Sequence, residues 1–192
     1  MNNMTHIKKV VITAMMIAMC VLLPMAFHAI PQAGPTLLPM HIPVLLAGLI
    51  CGPAFGFIAG LTGPFLSSIL TGMPPSGMMP VMMFELSVYG TITGIMMKLV
   101  HTGRSSIDLY ASLLTAMLCG RIVAGIVQSL IFFEGTYTLA IWTTSLFITS
   151  MPGIIIQIIF VPSLVMALER ERIIPLRYPI KIEDTVSASV AA

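Results

Sequence analysis

Long apolar stretches, separated by short breaks that contain proline and glycine, run through almost the whole chain. A helix needs about 20 mostly apolar residues to cross the hydrocarbon core of a bilayer, and six stretches approach that length. The pattern therefore predicts an all-α integral membrane protein, a compact bundle of six transmembrane helices. The predicted membrane spans are residues 8–29, 38–52, 54–72, 80–101, 107–132 and 150–169.

Two connections between these spans are unusual. Only Gly52 and Pro53 separate the second span from the third. This predicts a very tight turn, because proline cannot continue the hydrogen-bond ladder of a helix. Residues 133–149 are apolar but are separated from the last span by a Ser-Met-Pro sequence. The pattern leaves open whether this stretch crosses the membrane or lies at its interface, with Trp142 at headgroup level.

Composition excludes several classes of protein. Of the residues, 57% are hydrophobic and 8% are charged, whereas a soluble domain carries roughly 25% charged residues. The net charge of +2 is too small for the clustered basic face of a nucleic-acid-binding protein. We expect the first apolar stretch to be retained as a span, since it is longer than the core of a signal peptide. The three cysteines show no CxxC spacing, so we expect neither a disulfide framework nor a metal site.

Basic residues occur only at alternate connections between the spans, apart from Arg121. Lys8 and Lys9 precede the first span, Lys98 and Arg104 lie between the fourth and the fifth, and four more follow the sixth. The connections on the opposite side have no Lys or Arg: 30–37, 73–79 and 133–149. By the positive-inside rule both termini are predicted to be cytoplasmic, in a multi-pass protein of the plasma membrane.

Few polar side chains are predicted at membrane depth. A charge near the bilayer centre costs roughly 2.5–3.5 kcal/mol on insertion scales, so such residues usually face a cavity, a partner or each other. Glu85 and Arg121 are predicted to lie in the same outer half of the bundle. They could form an ion pair that joins two helices, or they could line a ligand site. Tyr89, one turn after Glu85, and Gln128, two turns after Arg121, favour the ligand site because they add donors and acceptors on the same faces.

Further polar residues lie near the predicted outer mouth. His41 could cap a helix beside Pro43, or it could contact a ligand. Gln32 belongs to the first outer loop. The candidate substrate-binding residues are His41, Glu85, Tyr89, Arg121, Gln128 and Gln32.

Two outer loops have the composition of gates. The sequences HAIPQAGPTLLP (28–39) and TGMPPSGMMP (71–80) are uncharged apart from His28 and rich in proline and glycine. Proline fixes local shape, glycine permits hinging, and methionine fills irregular volumes around a ligand. We expect these loops to cover an outward-facing pocket, although ordinary short connections have a similar composition.

No catalytic motif such as HExxH, GxSxG or Walker A occurs in the sequence. We therefore expect a non-catalytic protein without cofactors. The sequence leaves two further classes of function open. One is an integral membrane enzyme that uses Glu85 and His41, and the other is a self-contained small carrier or channel.

Two sequence features carry a resemblance to a known family. Residues 39–75, PMHIPVLLAGLICGPAFGFIAGLTGPFLSSILTGMPP, combine the Gly-Pro turn with a glycine-rich third span, and Ala14 and Ala18 lie one turn apart on the first span. With six spans and both ends inside, the chain resembles the substrate-binding S components of energy-coupling factor (ECF) vitamin transporters over about residues 7–172. The resemblance implies that residues 1–180 form a transmembrane substrate-binding domain. We expect residues 181–192 to form a disordered cytoplasmic tail.

The resemblance also implies a mechanism. A vitamin is captured between the outer halves of the helices, under the loops of residues 28–39 and 71–80. The face formed by Ala14 and Ala18 docks on a transmembrane coupling subunit that is driven by two ATPase subunits, and the loaded subunit then tips over in the bilayer. A buried Arg121 suits a ligand with a carboxylate. Pantothenate is therefore the first candidate, and folate, cobalamin and a pyridoxine-like compound are the alternatives.

Overall fold

A computed structural model describes residues 4–27, 33–131 and 139–178. Most of these residues are helical, and a π-helical turn, Thr144–Ile148, follows the seventh α-helix. The α-helices are α1 (His6–Ala26), α2 (Ala33–Leu37), α3 (His41–Cys51), α4 (Pro53–Thr71), α5 (Met79–Leu99), α6 (Ser105–Ile131), α7 (Leu139–Thr143) and α8 (Met151–Arg170).

Six helical segments of the described chain are long and apolar enough to cross a membrane. This confirms the predicted all-α membrane fold. The second segment, Ala33–Cys51, begins earlier than predicted because the short helix α2 precedes α3. Between 133 and 149 the structure describes only residues 139–149, where α7 and the π-helical turn together are too short to span. The six segments are His6–Ala26, Ala33–Cys51, Pro53–Thr71, Met79–Leu99, Ser105–Leu130 and Met151–Arg170.

The chain reverses direction between α3 and α4 at a single glycine. Gly52 has a φ of 101°, a conformation that residues with a side chain rarely adopt. Its N–H donates to the carbonyl of Gly48 at 3.1 Å, and Pro53 starts the next helix, where its missing N–H leaves no hydrogen bond unmade. The predicted tight turn is confirmed.

Helices α4 and α5 approach so closely that their backbones are in contact. A Cβ atom added to Gly56 would collide with the backbone of Gly90, and one added to Gly90 would collide with Gly56. In lipid, such close packing supplies much of the attraction between helices. The contact holds α5, which carries Glu85 and Tyr89, against the centre of the bundle.

Helix α1 lies at the edge of the bundle. It buries Thr13, Cys20 and Pro24 against its neighbours, but most of its other side chains are exposed. Ala14 and Ala18 are both on the exposed face. In the isolated subunit this face is therefore open to lipid or to a partner.

The residues after α8 fold back over the end of the bundle that carries Lys98 and Arg104, here termed the charged end. Asp108, which is fully buried there, accepts hydrogen bonds from Arg177 Nε and Tyr178 Oη, each at 2.6 Å. Thr102 donates to the same carboxylate through its N–H and its hydroxyl. The chain up to Tyr178 is thus part of the folded bundle, and the predicted tail lies outside the described residues.

Candidate functional site

A cavity of about 540 Å³ occupies the opposite end of the bundle, here termed the loop end. Both of the Pro- and Gly-rich loops contribute to its wall. The first loop supplies Ala33, Gly34, Pro35, Leu38 and Pro39, and the second supplies Met73, Pro74, Pro75 and Met78. Pro24 and Phe27 of the α1 end, Val81 and Met82 of α5, and Leu146 of the π-helical turn add further apolar surface.

Four of the predicted substrate-binding residues line this cavity: His41, Glu85, Arg121 and Gln128. They come from three helices, α3, α5 and α6. Tyr89 is fully buried behind the wall, with its ring in contact with that of His41. Gln32 lies outside the described residues.

His41 and Glu85 form one polar group of the cavity wall. The Nε2 atom of His41 lies 3.6 Å from Oε1 of Glu85. The His41 ring packs edge-on against Tyr89, with ring centroids 5.2 Å apart. His41 begins α3 because the preceding irregular residues Leu38–Met40 place it at the start of the helix, facing α5. Neither ring nitrogen of His41 has a hydrogen-bond partner among the described residues.

Arg121 forms the second polar group. Its side chain is 2% exposed, and Nη1 donates to Ser150 Oγ at 3.1 Å. The guanidinium carbon lies 5.3 Å from the centre of the Phe147 ring, a distance at which cation and ring attract each other. Nη2 has no hydrogen-bond partner within the described residues. Two contacts therefore fix the guanidinium group and leave one of its nitrogens unused.

Glu85 and Arg121 do not pair with each other. Across the described part of the chain, Glu85 has the imidazole of His41 as its close partner, and the Arg–carboxylate ion pair is Arg177 with Asp108. The interpretation of Glu85 and Arg121 as a helix-joining ion pair is therefore wrong. The physical reason is that each group is held by a different neighbour, Glu85 beside α3 and Arg121 beside the residues that precede α8.

The segment from Trp142 to Ser150 was not recognised as part of the site from sequence. Trp142 Nε1 donates to the carbonyl oxygen of Arg121 at 3.2 Å, and its indole lies over Gly125, where any Cβ would collide with it. Ser145, Leu146 and Ser150 line the cavity. The aromatic residues of this apolar stretch indicated only an interfacial position, because the pattern does not show which helix they contact.

One comparison with known proteins decides the family. The sequence profile of the ECF transporter, substrate-specific component, matches residues 8–165. The chain belongs to this family.

The match identifies the protein as a membrane-embedded, substrate-specific component of an ECF transporter, and hence as a transport subunit. It covers four of the six membrane segments completely, all but the first two residues of His6–Ala26, and most of α8. Neither a curated protein nor a solved structure matches the chain. Membership of this family therefore implies a small-molecule substrate and partner subunits in the membrane, but it identifies neither.

Proposed function

We propose that this S component captures a vitamin or a related micronutrient in the cavity at the loop end, with pantothenate as the first candidate. The observation that carries the proposal is the buried Arg121 of the cavity wall, whose Nη2 has no hydrogen-bond partner within the described residues. A buried guanidinium group gains most from a carboxylate, which accepts charge-assisted hydrogen bonds from it. Pantothenate has a carboxylate, and it also has hydroxyl groups that Glu85 and His41 can bind.

The size and lining of the cavity support a small metabolite. Ligand sites commonly have volumes of about 300–1,000 Å³ and are mostly apolar with a few polar groups. This cavity has a volume of about 540 Å³. Its wall combines methionine and proline side chains with four of the polar residues that were predicted to bind substrate. Cobalamin, which is several times larger than pantothenate, suits this volume poorly, whereas folate and pyridoxine-like compounds remain alternatives.

In the proposed orientation, the cavity opens to the outside of the cell. The loop end lacks Lys and Arg in its described loops, whereas Lys8, Lys9, Lys98 and Arg104 lie toward the charged end. Both termini would then be cytoplasmic, by the positive-inside rule. The exposed face of α1 with Ala14 and Ala18 is the proposed docking surface for the coupling subunit, which works with two ATPase subunits.

Binding to the purified subunit tests this function. Pantothenate should raise the thermal unfolding midpoint of the subunit in detergent or nanodiscs, because a ligand that binds only the folded state stabilises it. Titration calorimetry should give a single site. Panthenol, in which an alcohol replaces the carboxylate, is the matched control and should bind more weakly. If none of the candidate vitamins stabilises the subunit, this proposal is wrong.

A further inference from the structure

The buried polar atoms that lack hydrogen-bond partners are concentrated around one site. Within residues 4–27, 33–131 and 139–178, they belong to four side chains: His41, Tyr89, Arg121 and Gln157. Two of these line the cavity, and Tyr89 contacts the ring of His41. A buried donor or acceptor without a partner is destabilising. A ligand bound in the cavity can supply partners for these groups.

The missing partners are of two chemical kinds. Arg121 Nη2 can only donate, so it requires an acceptor, and the positive charge of the guanidinium group favours an anion. Glu85 lines the cavity, and its Oε1 lies 3.6 Å from Nε2 of His41. That distance is longer than a normal hydrogen bond. A ligand hydroxyl or N–H in the cavity can donate to Glu85.

The two polar groups are held apart by separate contacts. Ser150 and Phe147 fix Arg121 on one side, and α3 presents His41 to Glu85 on the other. Apolar side chains, among them Met82 and Leu146, complete the wall of the same cavity. Methionine side chains adapt readily to an irregular carbon skeleton. The site thus has an anion-binding pole, an apolar wall and a donor-binding pole.

We infer that the substrate is a small organic acid that carries its anionic group at one end and a hydroxyl or N–H donor at the other. Arg121 binds the anion, and Glu85 with His41 binds the donor. A cation without an anionic group would meet the charge of Arg121, and an anion without a donor would leave Glu85 and His41 unpartnered. Both cases carry an electrostatic or desolvation cost. This inference rests on the proposed function, because it concerns the substrate of the same cavity.

A panel of compounds sorted by charge tests the inference. Pantothenate and biotin carry both a carboxylate and donors, nicotinate carries a carboxylate without a donor, thiamine is a cation, and riboflavin is a neutral polyol. Thermal stabilisation and calorimetry of the purified full-length subunit should detect binding only among the first two. Tight binding of nicotinate, thiamine or riboflavin would overturn the inference while leaving the capture of a vitamin intact. If none of the five binds, and folate and pyridoxine also fail to bind, both proposals are overturned.

Substitutions at the two poles then test the assignment of each group. For a binding acid, Arg121→Gln and Glu85→Gln should each reduce affinity about tenfold to a hundredfold, the range expected for hydrogen bonds to charged groups. For pantothenate, the Arg121→Gln protein should no longer distinguish the acid from panthenol, because the interaction with the carboxylate is gone. Full discrimination in Arg121→Gln would show that another group binds the anion and would overturn the assignment.

A control variant separates these effects from misfolding. Thr62→Val removes a hydroxyl that donates to the carbonyl of Ile58 in its own helix, away from the cavity. Its affinity should equal that of the unmodified subunit. Each variant's unfolding midpoint without ligand should also be measured. If Glu85→Gln keeps both its midpoint and its full affinity, the donor-binding pole is refuted.

Discussion

The ring of Phe147 lies 5.3 Å from the guanidinium carbon of Arg121, and the two residues belong to different elements of the bundle. Arg121 is on α6, whereas Phe147 is in the π-helical turn before α8. Short π-helical segments are frequent at functional sites. Here the turn places the ring of Phe147 against the guanidinium group of Arg121, the residue that we propose binds the ligand anion.

Phe147→Leu should weaken ligand binding about two- to thirtyfold, because a cation–ring contact contributes about 0.5–2 kcal/mol. Without the ring, the guanidinium group is less firmly placed for the ligand anion. Calorimetry with the compound that binds the unmodified subunit measures the change. Phe65→Leu, at an exposed position of α4, is the matched control and should leave affinity unchanged. Equal affinities for the two variants would contradict a positioning role for Phe147.

Ligand binding should slow hydrogen exchange in both loops of the cavity wall, residues 33–39 and 72–78. These segments contribute a large part of the apolar lining, so a ligand that contacts them should reduce their opening. Mass spectrometry of the subunit with and without saturating ligand gives the comparison. Residues 100–108 at the charged end are the internal reference. Unchanged exchange in the loops of a saturated sample would show that they do not close over the ligand.

Ala14→Leu and Ala18→Leu should abolish uptake while preserving ligand binding. Both residues are exposed on α1, and a larger side chain there would push a docking helix out of close contact. Uptake in vesicles that carry the complete transporter should be compared with binding to the purified subunit. Ala167→Leu, an exposed alanine of α8, is the control and should support normal uptake.

The double variant of the two alanines gives the sharper result. Normal uptake in that protein would show that α1 is not the docking surface. Loss of ligand binding would instead show that the alanines are needed for the fold of the subunit itself.

Asp108→Ala should destabilise the subunit by about 3–5 kcal/mol, the cost of leaving a buried charge without its partner. Arg177 would lose the carboxylate to which Nε donates at 2.6 Å, and Tyr178 and Thr102 would lose the same acceptor. Chemical denaturation in detergent measures the loss. Arg170→Ala, at an exposed position, should change stability little. Ligand affinity of the folded Asp108→Ala protein should persist, because the cavity is at the opposite end.

Much of the site could be predicted because its residues are rare in an apolar chain. Glu85 and Arg121 are conspicuous at membrane depth, and Gln128 follows Arg121 by about two turns of one helix. All three line the cavity together with His41. The sequence left open whether Glu85 and Arg121 pair with each other or line a ligand site, since periodicity places residues on a helix face but does not show how the helices are rotated against each other.

The sequence by itself determined the six membrane segments and the turn at Gly52, because hydropathy, segment length and the conformational freedom of glycine are local properties. The tertiary structure alone decided the neighbours of each polar group. Arg121 meets Ser150, which is far from it along the chain, because the indole of Trp142 packs where Gly125 has no side chain. Such contacts depend on close packing between segments that are far apart in the sequence. No local sequence pattern shows which of these segments will meet.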